Sequence, residues 1–338
     1  MTPQTENTDT AQRHPALEDA WKRFADYDHN ALIAQRRFFR LRKLILGLGV
    51  VVTFLALLHS TLKPITLSWF PQLNFNEFLR YVIIGIPIVV GSLQAFAAKF
   101  KGGSNYILLR GSAEALKSEI YRYRTQTEIY SPEETKTEPR EVKLARKVKT
   151  IGGQLMKTEV NQSGRAQYKG QLPPRYGAAE GDDGFSDLSP EQYLAWRLED
   201  QLNFYRSRTA RFDRRLRWLQ YSVFLLGGAG TFLAAVGLEI WIAITVATAA
   251  AFTSFLETKQ AEATLVAYNQ AATDLEGVRI WWHALPDDDK AKQENKDKLV
   301  KNTELVLQTE LSGWVQEMLD VLAELYAETE ASSANSPS

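Results

Sequence analysis

The stretches RLRKLILGLGVVVTFLALLHSTL (residues 40–62) and RLRWLQYSVFLLGGAGTFLAAVGL (215–238) decide the fold of this 338-residue chain. Each closes a basic run and opens an apolar one. The uncharged part of the first runs from Leu44 to Leu62, and that of the second from Leu219 to Leu238. Two further runs follow them, YVIIGIPIVVGSLQAFAA (81–98) and IWIAITVATAAAFTSFL (240–256). Each of the four holds 17–20 residues without a charge, or roughly 25–30 Å as a helix, which matches the hydrocarbon core of a bilayer. A soluble helix keeps a polar stripe, and these runs have none. The alternative is a helical hairpin buried in a large soluble bundle.

The flanks orient the spans. Arg36, Arg37, Arg40, Arg42 and Lys43 precede the first, and Arg206, Arg208, Arg211, Arg214, Arg215 and Arg217 precede the third. Lys99 and Lys101 follow the second, and Lys259 follows the fourth. The short connections carry only Lys63, Glu77 and Arg80 in one and Glu239 in the other. By the positive-inside rule, both termini and the central segment are expected in the cytoplasm, in a multi-pass protein of the plasma (inner) membrane. Trp69, Tyr81 and Trp241 then fall at the outer interface, with Trp218 and Tyr221 near the inner one.

RLRKL and RLRWL are thus one entry point written twice. Each copy reads as a basic helix, an outward span, a turn, an inward span and a long cytoplasmic helix. The entries lie 175 residues apart, but the cytoplasmic helices align at an offset near 158. The longer first outer loop, around SWFPQLNFNEF, accounts for the difference. The expected fold is all-α, with four transmembrane helices in two tandem hairpins. Its parts are a disordered N-terminus (1–16), a first hairpin unit (17–130), a connector (131–188), a second hairpin unit (189–285), a C-terminal cytoplasmic helix (286–328) and a disordered tail (329–338).

After each hairpin the apolar residues keep helical spacing: Leu109, Ala113, Leu116, Ile120 and Tyr123; Leu265, Tyr268, Ala272 and Leu275; Leu307, Leu311, Trp314, Met318, Val321 and Leu325. Such coiled-coil-like seams want a partner helix, from the same chain, from its oligomer or from another protein. In the connector, Ser131-Pro132-Glu133-Glu134 and Ser189-Pro190-Glu191-Gln192 both read as helix starts, with Ser as cap and Pro at the first helical position. EVKLARKVKTIGGQLMK, from Glu141, reads as a basic helix, either solvated or lying on an anionic leaflet. QLPPRYGAAEGDDGF reads as a loop, with Asp182 and Asp183 solvated.

The residues that carry chemistry are sparse. Cysteine is absent, which excludes disulfides and thiolate sites. His14, His29, His59 and His283 show no ligand spacing, and Asp287, Asp288 and Asp289 read as a solvated loop. Gly152-Gly153 lacks the phosphate-loop pattern. No enzyme activity, cofactor or metal is expected. Lys+Arg and Asp+Glu both count 40, so no nucleic-acid partner is indicated, and the lipid bilayer is the expected surroundings. The spans hold no acid, Lys or Arg of the kind that proton-coupled carriers use. Thr245, Thr248, Ser254, Ala243, Ala247, Ala251, Gly227 and Gly230 are candidates either to line a narrow pore or to pack helices together. Arg36, Arg37, Arg40, Arg42, Lys43, Arg211, Arg214, Arg215 and Arg217 are the candidate inner-interface residues.

The run DDGFSDLSPEQYLAWRLEDQLNFYRSRTARFDRRLRWLQ, Asp182 to Gln220, leads directly into a span. With the hairpin pattern from about Ala20 to His283, it resembles the bacterial SLATT-type families (SMODS and SLOG-associating two-transmembrane effectors), and in particular their tandem-hairpin branch. The resemblance implies a pore-forming effector in a conflict or cell-suicide system, often encoded beside nucleotide-generating or nucleotide-sensing partners. This chain departs from the simple pattern in carrying two hairpins and no fused sensor domain. Two functions follow as expectations: a homo-oligomeric pore or channel gated through its cytoplasmic helices, or a membrane-anchored scaffold recruiting a cytoplasmic protein partner through its seams.

Overall fold

The computed structural model describes residues 14–61, 75–100 and 102–334; Lys63, Trp69, Lys101 and nearly all of the N-terminus expected to be disordered lie outside them. Among the described residues every regular element is helical. The spans fall within α1 (Pro15–Thr61), α2 (Phe75–Phe100), α6 (Asp200–Ala235) and α7 (Ile242–Thr258). Between and after them come α3 (Gly102–Arg124), α4 (Arg140–Leu155), α5 (Pro190–Tyr193), α8 (Ala261–Ala284), α9 (Asp287–Lys290) and α10 (Gln293–Ala334).

Four of the helices are long and apolar enough to cross a membrane, and at most 11% of any such window is covered by the protein itself. Phe224, Leu225, Phe232, Ile88 and Val246 are each at least 60% exposed. A water-soluble protein does not present so continuous an apolar surface, so this is a membrane protein with four membrane-spanning helices. α2 passes through Pro87 unbroken. The connection between the third and fourth spans is tight: Gly237, at φ +76°, ends α6 in the left-handed conformation, and Leu238 N donates back to Leu233 O at 2.9 Å.

The repeat survives in the helix ends. α2 stops at Phe100 and α7 at Thr258, 158 residues later, and a new helix begins within three residues of each. Ala20-Trp21 and Ala195-Trp196 keep the entry offset of 175. The copies differ in detail, since Leu194–Glu199 forms a π turn that α1 lacks.

By packing, the chain forms two units, each drawn from three segments. The first takes the residues up to Leu32, Asn105–Ser207 and Ala267–Val315; the second takes Ile33–Ser104, Arg208–Val266 and the residues from Gln316 on. In the first unit the seam Leu109, Ala113, Leu116, Ile120 and Tyr123 is buried. Leu198, Leu202 and Tyr205 pack with Ala271, Leu275, Trp282, Leu299, Val300 and Leu307 in one core.

Three sequence expectations need correction. The loop QLPPRYGAAEGDDGF forms no regular element, as expected, and with its flanks it makes a strap that bonds α1 and α3. Asn30 donates to Ala166 O and accepts from Ala166 N, at 2.7 and 2.8 Å. Trp21 Nε1 donates to Gly184 O at 2.7 Å, and Lys117 Nζ to Tyr176 O at 2.8 Å. Ser131 does accept from Glu134 N, at 3.4 Å, but only a single 3-10 turn follows (Glu134–Lys136). The reason is Pro139, which disfavours helix at Glu138 and moves the true start to Arg140. Ser189, by contrast, makes a full capping box with Gln192. Asp287–Asp289 open the one-turn α9 in place of a loop, where acids suit a helix N-terminus. α10 runs on to Ala334, into the tail expected to be disordered, because Glu and Ala there favour helix and Pro337 lies beyond its end.

Candidate functional site

In the second unit the predicted span residues separate into two groups. Gly230 is the point where α6 approaches α7: a methyl there would lie 2.9 Å from Thr245 Oγ1. Thr245 is buried, and its hydroxyl donates to Ile242 O at 2.8 Å; the Thr248 hydroxyl donates to Ile244 O at 2.7 Å. Gly227 is not brought to a partner, since a methyl there would meet nothing within 4 Å. Ala243 is exposed, and Ala247 and Ala251 are half-buried.

The basic entry residues separate as well. Arg36, Arg37, Arg40, Lys43, Arg211, Arg214, Arg215 and Arg217 are exposed, and Arg217 pairs with Asp213 one turn back on its own helix. Arg42 is the exception. It reaches from α1 to the end of α7, where Nη2 donates to Ser254 Oγ at 2.9 Å and Nε to Thr258 Oγ1 at 3.2 Å. A guanidinium there also meets the negative end of the α7 dipole. The first span is thereby pinned to the fourth, which hydropathy alone does not reveal.

In the first unit the polar groups form a buried network that sequence reading missed. Arg124 and Asp182 are fully buried and joined by two hydrogen bonds, at 2.8 and 2.5 Å, while Arg124 Nε donates to Ser186 O at 2.8 Å. Asp182, expected in solvent, is thus an internal anion; only Asp183 is exposed. Arg197, carried by the π turn, donates twice to Glu304, at 2.9 and 3.0 Å, and Tyr193 donates to the same carboxylate at 2.9 Å. The Tyr121 ring lies between the two pairs, 4.6 Å from the Arg197 guanidinium and 5.7 Å from that of Arg124. Burial by itself would raise the Glu304 carboxyl, but Arg197 and the Tyr193 hydroxyl hold it below the usual range. Its partners lie 107 and 111 residues away, so no local spacing signals the pairing.

A second group in the same unit is less well balanced. Arg110 pairs with Asp28 and with Glu114, both at 2.6 Å. Glu310 accepts from Tyr205 OH at 3.1 Å. Desolvation, with the Glu114 charge behind it, pushes the Glu310 carboxyl up to about 7, although the Tyr205 hydrogen bond and Arg110 oppose this. Burial lowers Lys117 to about 8.

Comparison with known families follows the repeat. Residues 193–314 match the family described as SMODS and SLOG-associating 2TM effector domain 1, and residues 22–138 match a family described as a protein of unknown function, DUF4231. No curated protein and no solved structure matches the chain. The second hairpin thus lies in a segment that matches a SLATT-type domain, and the first in one that matches DUF4231, so the chain is similar to the SLATT-type membrane proteins over residues 193–314.

Proposed function

We propose that this protein is a membrane effector that acts as an oligomeric pore, gated through the helices that follow each hairpin. The observation that carries the reading is an uncovered stripe on the fourth span. Ala243, Val246, Ala250 and Thr253 are all exposed, at steps of 3, 4 and 3 along α7, the spacing of a helix seam. Small residues on such a stripe allow close approach of a second helix in lipid, or line a narrow lumen. Methyls at Gly47, Gly49, Gly85, Gly91, Gly227 and Gly228 would likewise meet nothing within 4 Å. Four spans in one chain enclose too little to conduct, so several copies around an axis are required. The effector role is taken from the description of the family matched by the second hairpin. The basic entry residues support an orientation with both termini in the cytoplasm of a plasma-membrane protein.

The scaffold reading has less support. The α3 seam that would recruit a partner is consumed in the chain's own core. Ion flux from liposomes holding the full-length protein distinguishes the two. Flux that is lost in an Ala250→Leu, Thr253→Leu variant, while the oligomer persists, is the expected result. Liposomes that stay tight over a range of voltages would favour the scaffold.

A further inference from the structure

Within the first unit, α10 packs against α3 in antiparallel order. Gln308 Nε2 donates to Ser118 Oγ at 3.1 Å, and a methyl on Gly111 would meet Val315 Cγ2 at 3.8 Å. The stretch of α10 from Gln308 to Val315 therefore runs along α3 from Ser118 back to Gly111. Both stretches carry a carboxylate, Glu310 on α10 and Glu114 on α3. The Arg110 guanidinium is divided between Glu114 and Asp28 of α1, at 2.6 Å from both. Glu310 takes a neutral partner, the Tyr205 hydroxyl of α6, at 3.1 Å. Tyr205 is buried, and its ring lies 5.4 Å from that of Tyr268 on α8. Three carboxylates thus meet one shared guanidinium in a partly buried layer.

The other charges around this layer are engaged elsewhere or face water. Lys117 Nζ, on the next turn of α3, donates to Tyr176 O at 2.8 Å. Arg197 holds Glu304, and His29, next to Asp28, is turned to the Tyr168 ring at 5.8 Å. Arg206 and Arg208, which follow Tyr205 on α6, are exposed. An ionised Glu310 is therefore answered directly by a hydroxyl alone, in a layer that already holds two carboxylates. Burial and the Glu114 charge both raise its carboxyl. Protonation keeps the Tyr205 bond, since the hydroxyl donates to either form. We propose that Glu310 is a proton latch: protonated, it holds α10 on α3 and α6, and loss of the proton to water lets that stretch of α10 come away locally. Beyond Ser207, α6 runs on into the third span, so the latch grips a helix that enters the membrane. The latch does not depend on whether the protein conducts ions.

The test is hydrogen–deuterium exchange of the full-length protein in neutral detergent from pH 6 to pH 8.5, corrected for the intrinsic pH dependence of amide exchange. Peptides covering residues 299–315 should exchange roughly tenfold faster at the upper pH than at the lower. The rise should level off above about 7, and α4 should not follow it. In Glu310→Gln the stretch should stay protected throughout. Glu114→Gln removes the opposing charge and should move the levelling-off to lower pH. Tyr205→Phe removes the bond that favours the ionised form and should move it to higher pH. Lys117, which burial lowers to about 8, titrates in the same range. A rise that persists in Glu310→Gln would belong to Lys117 and overturn the proposal. Equal exchange of the parent chain at both ends of the range, or an equal rise in α4, would overturn it too.

Discussion

Asp182 shows how much one misplaced charge would cost this protein. Its carboxylate and the Arg124 guanidinium are both out of reach of water and satisfy each other with two bonds. Replacing one partner leaves the other buried and alone, which typically costs about 3–5 kcal/mol. Asp182→Asn, nearly the same shape, should therefore lower stability by that order in chemical denaturation, whereas Asp183→Asn, at a half-exposed carboxylate that accepts from Phe185 N and Ser186 N, should cost less. Glu310 makes a prediction of a different kind. Its ordinary value is 4.5 and its folded value about 7. Between these pH values the unfolded chain releases the proton while the folded chain holds it. The stability this group contributes is thus full below about pH 4.5 and is lost as pH rises towards 7. Melting curves at pH 5 and pH 8 should show the fall, and Glu310→Gln should flatten it.

Among the elements, the approach of α6 to α7 in the second unit is a sensitive one. Gly230 sets the approach of α6 to α7, with Thr245 Oγ1 and Ile242 Cγ2 at 2.9 and 3.7 Å from the position a methyl would take. Gly230→Val should cost about 1–3 kcal/mol by overpacking. Gly227→Ala, with open space around it, should be neutral or gain up to about 1 kcal/mol of helix propensity. Melting temperatures measured in one detergent compare the two directly. The capping box at Ser189 and the unbroken helix through Pro87 were legible in the sequence, because both depend on neighbours a few residues away. The short turn after Ser131 was not, since Pro139 overrules a start signal placed eight residues before it. The π turn at Leu194–Glu199 had no local signature either. Nor did the role of Arg42, which reads as one of five cations in a row until the hydroxyls of Ser254 and Thr258 are placed beside it.

Across the whole molecule, a net charge of zero conceals a sharp separation. Cations crowd the span entries, while the first unit buries acids and bases in matched pairs. The spans and their duplication were legible because hydropathy and flanking charge are properties of contiguous sequence. The strap was not, because its bonds join residues far apart in the chain, 136 positions from Asn30 to Ala166, 163 from Trp21 to Gly184 and 59 from Lys117 to Tyr176. The same long reach orders events during synthesis. The ribosome makes Arg197 before the third span, but its carboxylate, Glu304, is translated only after the fourth span has ended at Thr258. Until then the arginine has no internal partner and must stay hydrated, so the core around it cannot close. Insertion of the hairpins is therefore free to precede the locking of the first unit, and a nascent chain stalled before Glu304 would lie in the membrane with that unit still open.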